Sequence, residues 1–343
     1  MTIQRTEDRV TIFDVAREAN VSFATVSRVV NGKGNVSAQT RERVVQAMAR
    51  TGYVVNRQAR GLAGGRYQVV GLLVPDLDTS YIGEIVRGID EALAAVAYDL
   101  MLYTTHRRKT REAAFAASLT RGMTDGLLLV LPSNPGAYLD SIRRRGFPFV
   151  LIDHGGVGGT GPSVGATNRQ GAYQATSHLI GLGHRRIGFI TGILELGCAT
   201  DRLAGYRAAL ADHGLAFDAA LVREGNFHEP LGYERTRELL ATPDPPTAIF
   251  ASNDLSAFGA MDAIRDAGRR VPDDVSVIGF DDIPTAPFTH PPLTTIRQPL
   301  HEMGSLATTM LLEMIDDPNR PVERIDLPTV LVERGTCRSL TGA

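Results

Sequence analysis

TIFDVAREANVSFATVSRVVN, running from Thr11 to Asn31, encodes two short amphipathic helices joined by a tight turn. Ile12, Val15, Ala16 and Ala19 recur at helical spacing, which places them on one apolar face. Thr11, followed three residues later by Asp14, supplies an N-cap for that helix. Asn20 falls where the chain must turn sharply, and asparagine tolerates a left-handed backbone better than most residues. Ser22 caps the second helix, whose Val26, Val29 and Val30 face inward. Phe23, Ala24, Ser27 and Arg28 then point outward near its N-terminal end. A third helix is expected from its cap at Ser37 through Arg50, with Val44, Val45 and Met48 apolar and Gly52 as terminator. A helix-turn-helix presents the N-terminal side chains of its second helix to base edges in the major groove. Small three-helix cores of this shape also occur in proteins that never touch DNA, so charge has to discriminate.

Residues 1–66 hold eleven Lys/Arg against five Asp/Glu, net +6, whereas the remainder holds 25 against 33, net −8. The whole-chain charge of −2 therefore hides a basic head on an acidic body. That asymmetry is expected of a phosphate-binding module attached to something else. A length of 343 residues suggests two or three domains. No apolar run reaches the roughly 18 residues of a membrane span, and the N-terminus lacks a signal-peptide pattern. A soluble, cytoplasmic protein that does not enter a membrane is expected. Cys198 and Cys337 lie far apart with no metal-ligand spacing. Neither a disulfide framework nor a metal site is indicated, and both read as ordinary small residues.

From Val69 onward, short β-branched or apolar runs alternate with helical stretches, the pattern of a parallel sheet with crossover helices. VVGLLV (69–74), LMLYT (100–104), GLLLVL (126–131) and FVLID (149–153) read as strands, with a helix such as 82–97 between them. The series then starts over with IGFIT (187–191), LVREG (221–225), AIFA (248–251) and VSVIGF (275–280), and helices beginning near Asp201, Leu231 and Asp254. Two successive series imply two similar α/β lobes. Ligands in such sheets bind beyond the carboxyl ends of the strands, so a cleft between lobes is the default site. Asp76, Asp153, Asn253 and Asp281 fall at those ends. Each alone reads as a turn or helix cap; together they look like a polar rim for a hydroxyl-rich ligand, with Phe227 as a stacking plate.

GVGGTG (156–161) satisfies G-x-G-x-x-G, but Pro162 follows it and no acidic residue lies about 20 positions on, so a loop is expected rather than a dinucleotide site. His178, His184, Asp153 and Asp201 supply acid/base groups on paper. No G-x-S-x-G elbow accompanies them, and the chain is not read as an enzyme. No cofactor is expected.

The chain resembles the lactose-repressor (LacI/GalR) family of bacterial transcription regulators over essentially its full length. The residues that carry the resemblance are TIFDVAREANVSFATVSRVVNG, NRQARGLAGG, LGHRRIGFITG, DRLAGYRAAL, SNDLSAFGAMDAI, VPDDVSVIGFDD and PPLTTIRQP, in that order. It implies a small all-α helix-turn-helix headpiece (1–55), a hinge helix or linker (56–66) and an α/β two-lobed periplasmic-binding-protein-like core with parallel sheets (67–343). The N-terminal lobe is expected at about 67–165 plus 299–320, and the C-terminal lobe at about 166–298 plus 321–343.

By the same resemblance, Phe23, Ala24 and Arg28 occupy base-reading positions. An arginine there can donate bidentately to guanine, worth roughly 1 to 3 kcal/mol of discrimination. Thr11, Ser22, Thr25, Ser27, Asn31, Asn35, Tyr53 and Asn56 match phosphate-contacting positions, which fix register. Leu62 matches a leucine that wedges into the minor groove. Gly61, inside the expected hinge helix, costs about 0.5 to 1 kcal/mol relative to alanine, so that helix is expected to form only with DNA and a dimer partner present. Tyr81, Asp153, Arg202, Phe227, Asn253 and Asp281 fall on effector-contact positions. Arg202 could fork two hydrogen bonds to vicinal hydroxyls or pair with Asp281 across the cleft. A neutral sugar is favoured over an anionic ligand, with a nucleoside as the open alternative. A homodimer on a pseudo-palindromic operator follows from two-fold symmetry, and the terminus TCRSLTGA carries no tetramerising leucine heptads. A sugar-binding receptor of a transport system would share the core but would need a signal peptide and would lack residues 11–62.

Overall fold

The computed structural model describes residues 10–30, 34, 36–53, 66–132, 136–155, 161–321 and 323–340. The chain divides into two compact units, Met1–Gln68 and Val69–Ala343. Asn31, Asn35, Asn56, Gly61 and Leu62, with the expectations attached to them, lie outside the described residues, as does 156–160.

The first unit is built from α1 (Ile12–Glu18), α2 (Phe23–Val30) and α3 (Ala38–Thr51). The Thr11 hydroxyl and N–H both donate to Asp14 Oδ2, at 2.7 and 2.9 Å. Those hydrogen bonds hold the Asp14 carboxyl below its ordinary value. Asn20 adopts φ 51°, and α3 ends on Gly52 at φ 66°, the left-handed cap its sequence requires. Ser22 Oγ accepts from the Thr25 N–H at 3.2 Å, and Ser37 Oγ from the Thr40 N–H at 3.3 Å. Val15, Val26, Val44 and Ala47 are fully buried between the helices, and Tyr53 packs its ring against them. Val45 is exposed, because the residue after a buried one turns toward a different face of the helix.

The second unit holds two six-stranded sheets. The first runs in the order β11 (Arg324–Leu327), β5 (Ser163–Ala166), β4 (Phe149–Ile152), β3 (Gly126–Val130), β1 (Val69–Val74), β2 (Asp99–Thr104), all parallel. The second runs β12 (Val330–Val332), β10 (Thr294–Arg297), β9 (Ser276–Asp281), β8 (Ala248–Ala251), β6 (Ile187–Ile190), β7 (Val222–Arg223). Its β12 is antiparallel to β10, an exception to the parallel pattern expected from sequence. Helices α4 (Ser80–Ala94), α5 (Lys109–Leu119), α6 (Gly136–Arg144) and α11 (Leu300–Asp316) belong to the first lobe; α7 (Asn168–Gly181), α8 (Gly197–Asp212), α9 (Glu229–Leu240) and α10 (Asp254–Asp266) belong to the second. Strands β1, β3, β4, β6, β8 and β9 are buried along their whole length, which explains why they read as continuous apolar runs.

One boundary differs from the sequence expectation. The resemblance places 321–327 in the C-terminal lobe, yet β11 adds to the first sheet in register with β5, Arg324 opposite Ser163. The chain crosses between lobes at 328–329, where the Thr329 N–H donates to Thr167 Oγ1 at 2.9 Å. Close helix contact holds α11 to α4: a Cβ on Gly88 would lie 2.0 Å from the His301 carbonyl oxygen, and one on Gly304 2.2 Å from that of Ile85. Only glycine permits that approach.

Candidate functional site

On the headpiece, α2 exposes Phe23, Ala24 and Arg28, while Ser27 and Thr25 are partly covered. Ser22 Oγ and Thr25 Oγ1 lie 2.9 Å apart. The aliphatic stem of Arg28 runs past Gly34, where a Cβ would sit 3.4 Å from Arg28 Cδ. Phe13, the second residue of α1, stacks on the exposed ring of Phe23.

In the core, Tyr81, Asp153, Arg202, Phe227, Asn253 and Asp281 all line one cleft. Sheet order explains the convergence. Asp153 follows β4 and Leu131 follows β3, while Asp281 ends β9 and Asn253 follows β8. Four residues that line the cleft take left-handed backbone conformations: Leu131 (φ 46°), Asp153 (φ 54°), Phe227 (φ 69°) and Asp281 (φ 110°). Such strain in non-glycine residues concentrates at ligand sites, where it aims side chains that a regular strand end would not.

A chain of hydrogen bonds crosses the lobes. The Tyr81 hydroxyl donates to Asp153 Oδ2 at 2.7 Å, and Asn168 Nδ2 donates to Asp153 Oδ1 at 3.1 Å. Arg202 Nε donates to Asn168 Oδ1 at 2.8 Å, and its Nη1 donates to the Ser252 carbonyl. Arg202 is 2% exposed, lies with its guanidinium 3.9 Å from the Phe280 ring centroid, and approaches Asp281 to 3.6 Å. Two of its five N–H donors are thus committed to protein acceptors, which leaves one on Nη1 and both on Nη2. The pairing with Asp281 is within the C-terminal lobe, not across the cleft, because α8 and β9 both belong to that lobe.

Burial dominates the ionisation of these groups. It pushes the Tyr81 phenol well above its ordinary value, with Asp153 adding to the effect, so the hydroxyl stays a donor. It also lifts the Asp281 carboxyl to about 7, against the pull of Arg202 and the 2.7 Å hydrogen bond from Gln298 Nε2. Asn253 does what a lone polar residue after a strand usually does: its Oδ1 caps α10 by accepting from the Ser256 N–H at 3.0 Å. Its Nδ2 donates to the Phe227 carbonyl at 2.9 Å and so fixes the plate.

Sequence reasoning missed Asn168 and Gln298, which stand just beyond β5 and β10; the strand-end rule would have found them had those four-residue strands been recognised. It missed Arg107 and His228 at the other end of the cleft. Cys198, read as ordinary, is a buried cleft residue whose thiol burial pushes up. His184 is structural: buried outside the cleft, it has ring nitrogens 2.9 Å from Thr247 Oγ1 and 3.1 Å from Ser276 Oγ. Asp76 lies at the cleft, 3.4 Å from Arg107.

Residues 11–56 match the family described as bacterial regulatory proteins, lacI family, and residues 176–337 match the periplasmic binding protein-like domain. The chain is 35% identical over 327 residues to the ribose operon repressor of Escherichia coli (strain K12), covering 95% of this chain and 99% of that one. The structure of the Lac repressor dimer bound to operator and the anti-inducer ONPF superposes with a TM-score of 0.87 at 30% identity, covering 97% of this chain and all of that one. A complex of the transcriptional regulator CelR with cellobiose gives a TM-score of 0.74 at 34% identity, covering 96% of this chain and all of that one. These relatives are transcriptional regulators rather than enzymes, and the headpiece that a transport receptor would lack is present here. With a lacI-type headpiece joined to a two-lobed binding core along nearly the full length of such relatives, the chain belongs to the LacI family of DNA-binding transcriptional regulators.

Proposed function

We propose that this regulator is a cytoplasmic homodimeric repressor that reads a pseudo-palindromic operator through Phe23, Ala24 and Arg28 and is controlled by a sugar held in the core cleft. One observation carries the effector reading: acceptors (Asp153, Asp281), donors (Tyr81, Arg202) and an apolar plate (Phe227) converge on one cleft from both lobes. Hydroxyls both donate and accept, so a polyol uses that mixture fully. The similar ribose operon repressor and the CelR complex with cellobiose support the same class.

The hydrogen-bond chain supplies the coupling. Asn168 stands on the crossover between lobes and ties Asp153 of the first lobe to Arg202 of the second. A ligand that competes for Asp153 and Arg202 changes the balance of lobe positions, and binding linkage requires operator DNA to bias effector affinity by the same factor. Thermal-shift screening of neutral sugars against the purified protein tests the effector class. A ligand at 100 times its Kd stabilises by roughly 2.7 kcal/mol, and no shift with any sugar would remove it. Replacing Arg28 by Ala tests the reading face: specific binding should fall at least tenfold more than binding to random DNA, whereas equal losses on both would remove Arg28 as a base reader.

A further inference from the structure

The acidic core carries one basic segment. Residues 106–145 hold eight Lys/Arg against three Asp/Glu, net +5, which leaves the rest of 67–343 with 17 against 30, net −13. The charge of the headpiece does not account for a positive stretch inside so acidic a domain.

Topology gathers part of that charge on one edge. α5 and α6 cover the same face of the first sheet, where Leu119 and Ile142 are buried with Leu127 and Phe149. The strands that follow them, β3 and β4, are parallel neighbours, so both helices end at the edge where the strands begin. The chain enters the core at that same edge. The Asp125 N–H donates at 2.8 Å to the carbonyl of Val69, the first residue of β1, and the Leu127 N–H donates to the Pro148 carbonyl at 3.1 Å. Arg121 lies just past the end of α5, Arg144 ends α6 and Arg145 follows it; all three are exposed. Asp125, partly buried, is the one carboxylate in the connections 120–125 and 145–148.

Elsewhere on the core, exposed arginines such as Arg87, Arg265 and Arg297 pair with carboxylates. Arg143 likewise reaches Asp140 at 2.9 Å. Arg121, Arg144 and Arg145 have no ion pair among the described residues. A cation near a helix C-terminus complements the helix dipole, which accounts for one arginine per helix but not for the run from 143 to 145. Three unneutralised guanidiniums on one edge fit a polyanion.

We propose that Arg121, Arg144 and Arg145 bind the phosphate backbone of duplex DNA held by the headpiece, so that the core adds DNA contacts of its own. The chain from Tyr53 to Arg66 spans at most about 45 Å, which keeps this edge within reach of such a duplex. The proposal rests on the DNA binding of the family and not on the nature of the effector. Phosphate contacts act on any sequence, and each one steepens the fall of log K with log salt by about 0.9.

Fluorescence anisotropy of the full-length protein on a random-sequence duplex of about 40 base pairs, between about 50 and 200 mM salt, tests it. Wild type is compared with Arg121→Gln/Arg144→Gln/Arg145→Gln and with Arg169→Gln/Arg237→Gln/Arg338→Gln, which removes equal charge from exposed sites of the second lobe. The first variant should flatten the salt slope by about 1 to 3 per protomer and weaken binding at least about fivefold at the lowest salt, while the second keeps the wild-type slope. An unchanged slope in the first variant, or equal flattening in both, overturns the proposal. Failure of wild type to bind the duplex at any of these salt concentrations would instead remove the DNA binding from which it starts. Melting curves establish that each variant is folded. Should the triple variant melt early, Arg121→Gln/Arg145→Gln, both outside their helices, carries the same comparison with a flattening of about 1 to 2.

Discussion

Phe13 of α1 and Phe23 of α2 stack with ring centroids 5.0 Å apart and planes 19° from parallel, although both face outward at 61% and 46% exposure. Two large rings left in water on a basic, DNA-reading unit suit contact with thymine methyl groups. Phe13 also restricts the rotamers of Phe23 and so prepares it for the groove. An aromatic pair contributes about 0.5–1.5 kcal/mol beyond area. Phe13→Ala should therefore weaken operator binding roughly two- to tenfold, with little change on random DNA, as fluorescence anisotropy on both duplexes would register. An equal loss on both would make Phe13 a general contact.

The plate of the cleft depends on a glycine. A Cβ on Gly192 would lie 1.8 Å from Phe227 Cζ, so the ring lies directly over that backbone. Gly192→Ala must push Phe227 out of place. A loss of effector affinity of tenfold or more is expected, comparable with Phe227→Ala, while operator binding without effector persists. Retained effector affinity in Gly192→Ala would mean that stacking on Phe227 contributes little.

The headpiece was legible in sequence because its determinants are local: the Thr11–Asp14 cap, Asn20 in the turn and Gly52 at the end of α3 lie within three or four residues of what they control. The cleft was legible where a long apolar strand announced its own end, as at Asp153 and Asp281. Arg107 was not, because only sheet order brings the residue after edge strand β2 into the same cavity as Asp153. Strands β5 (SVGA) and β11 (RIDL) did not register because neither carries the continuous apolar run that marked the equally short AIFA. LVREG was read too long, since pairing with β6 extends only over Val222 and Arg223.

Asp254 is fully buried behind the cleft, accepting from the Ile283 N–H at 2.8 Å and bonded to Thr295 Oγ1 at 2.5 Å. Burial pushes its carboxyl well above the ordinary range, with Asp281 adding to the effect. A group that prefers to be neutral is replaced at little cost by an amide, whose carbonyl still accepts from Ile283 and whose NH2 donates to Thr295. Asp254→Asn should stay within about 1 kcal/mol of wild type. Asp254→Ala strands both partners in a dry site and should lose roughly 2–4 kcal/mol in urea unfolding. Equal costs for the two would argue that Asp254 is held ionised.

Asp281 connects the cleft to pH. Its folded carboxyl titrates near 7, whereas the ordinary value is 3.8. Between those limits the folded chain retains a proton that the unfolded chain has released. The stability this group contributes is therefore full below about pH 4 and drains away as pH rises through 7. Asp281→Asn mimics the protonated form at every pH and leaves Arg202 in the same electrostatic state as that form does. The variant should gain on wild type as pH rises, with a slope of up to about 1.4 kcal/mol per unit. Above about pH 8 the gap should be constant. Urea unfolding of both proteins at about pH 5, 6, 7 and 8 measures the difference directly and cancels the opposing contribution of buried histidines such as His184, whose affinity for a proton burial lowers. A gap that stays level from pH 5 to 7 would show Asp281 ionised throughout, with Arg202 at 3.6 Å outweighing burial.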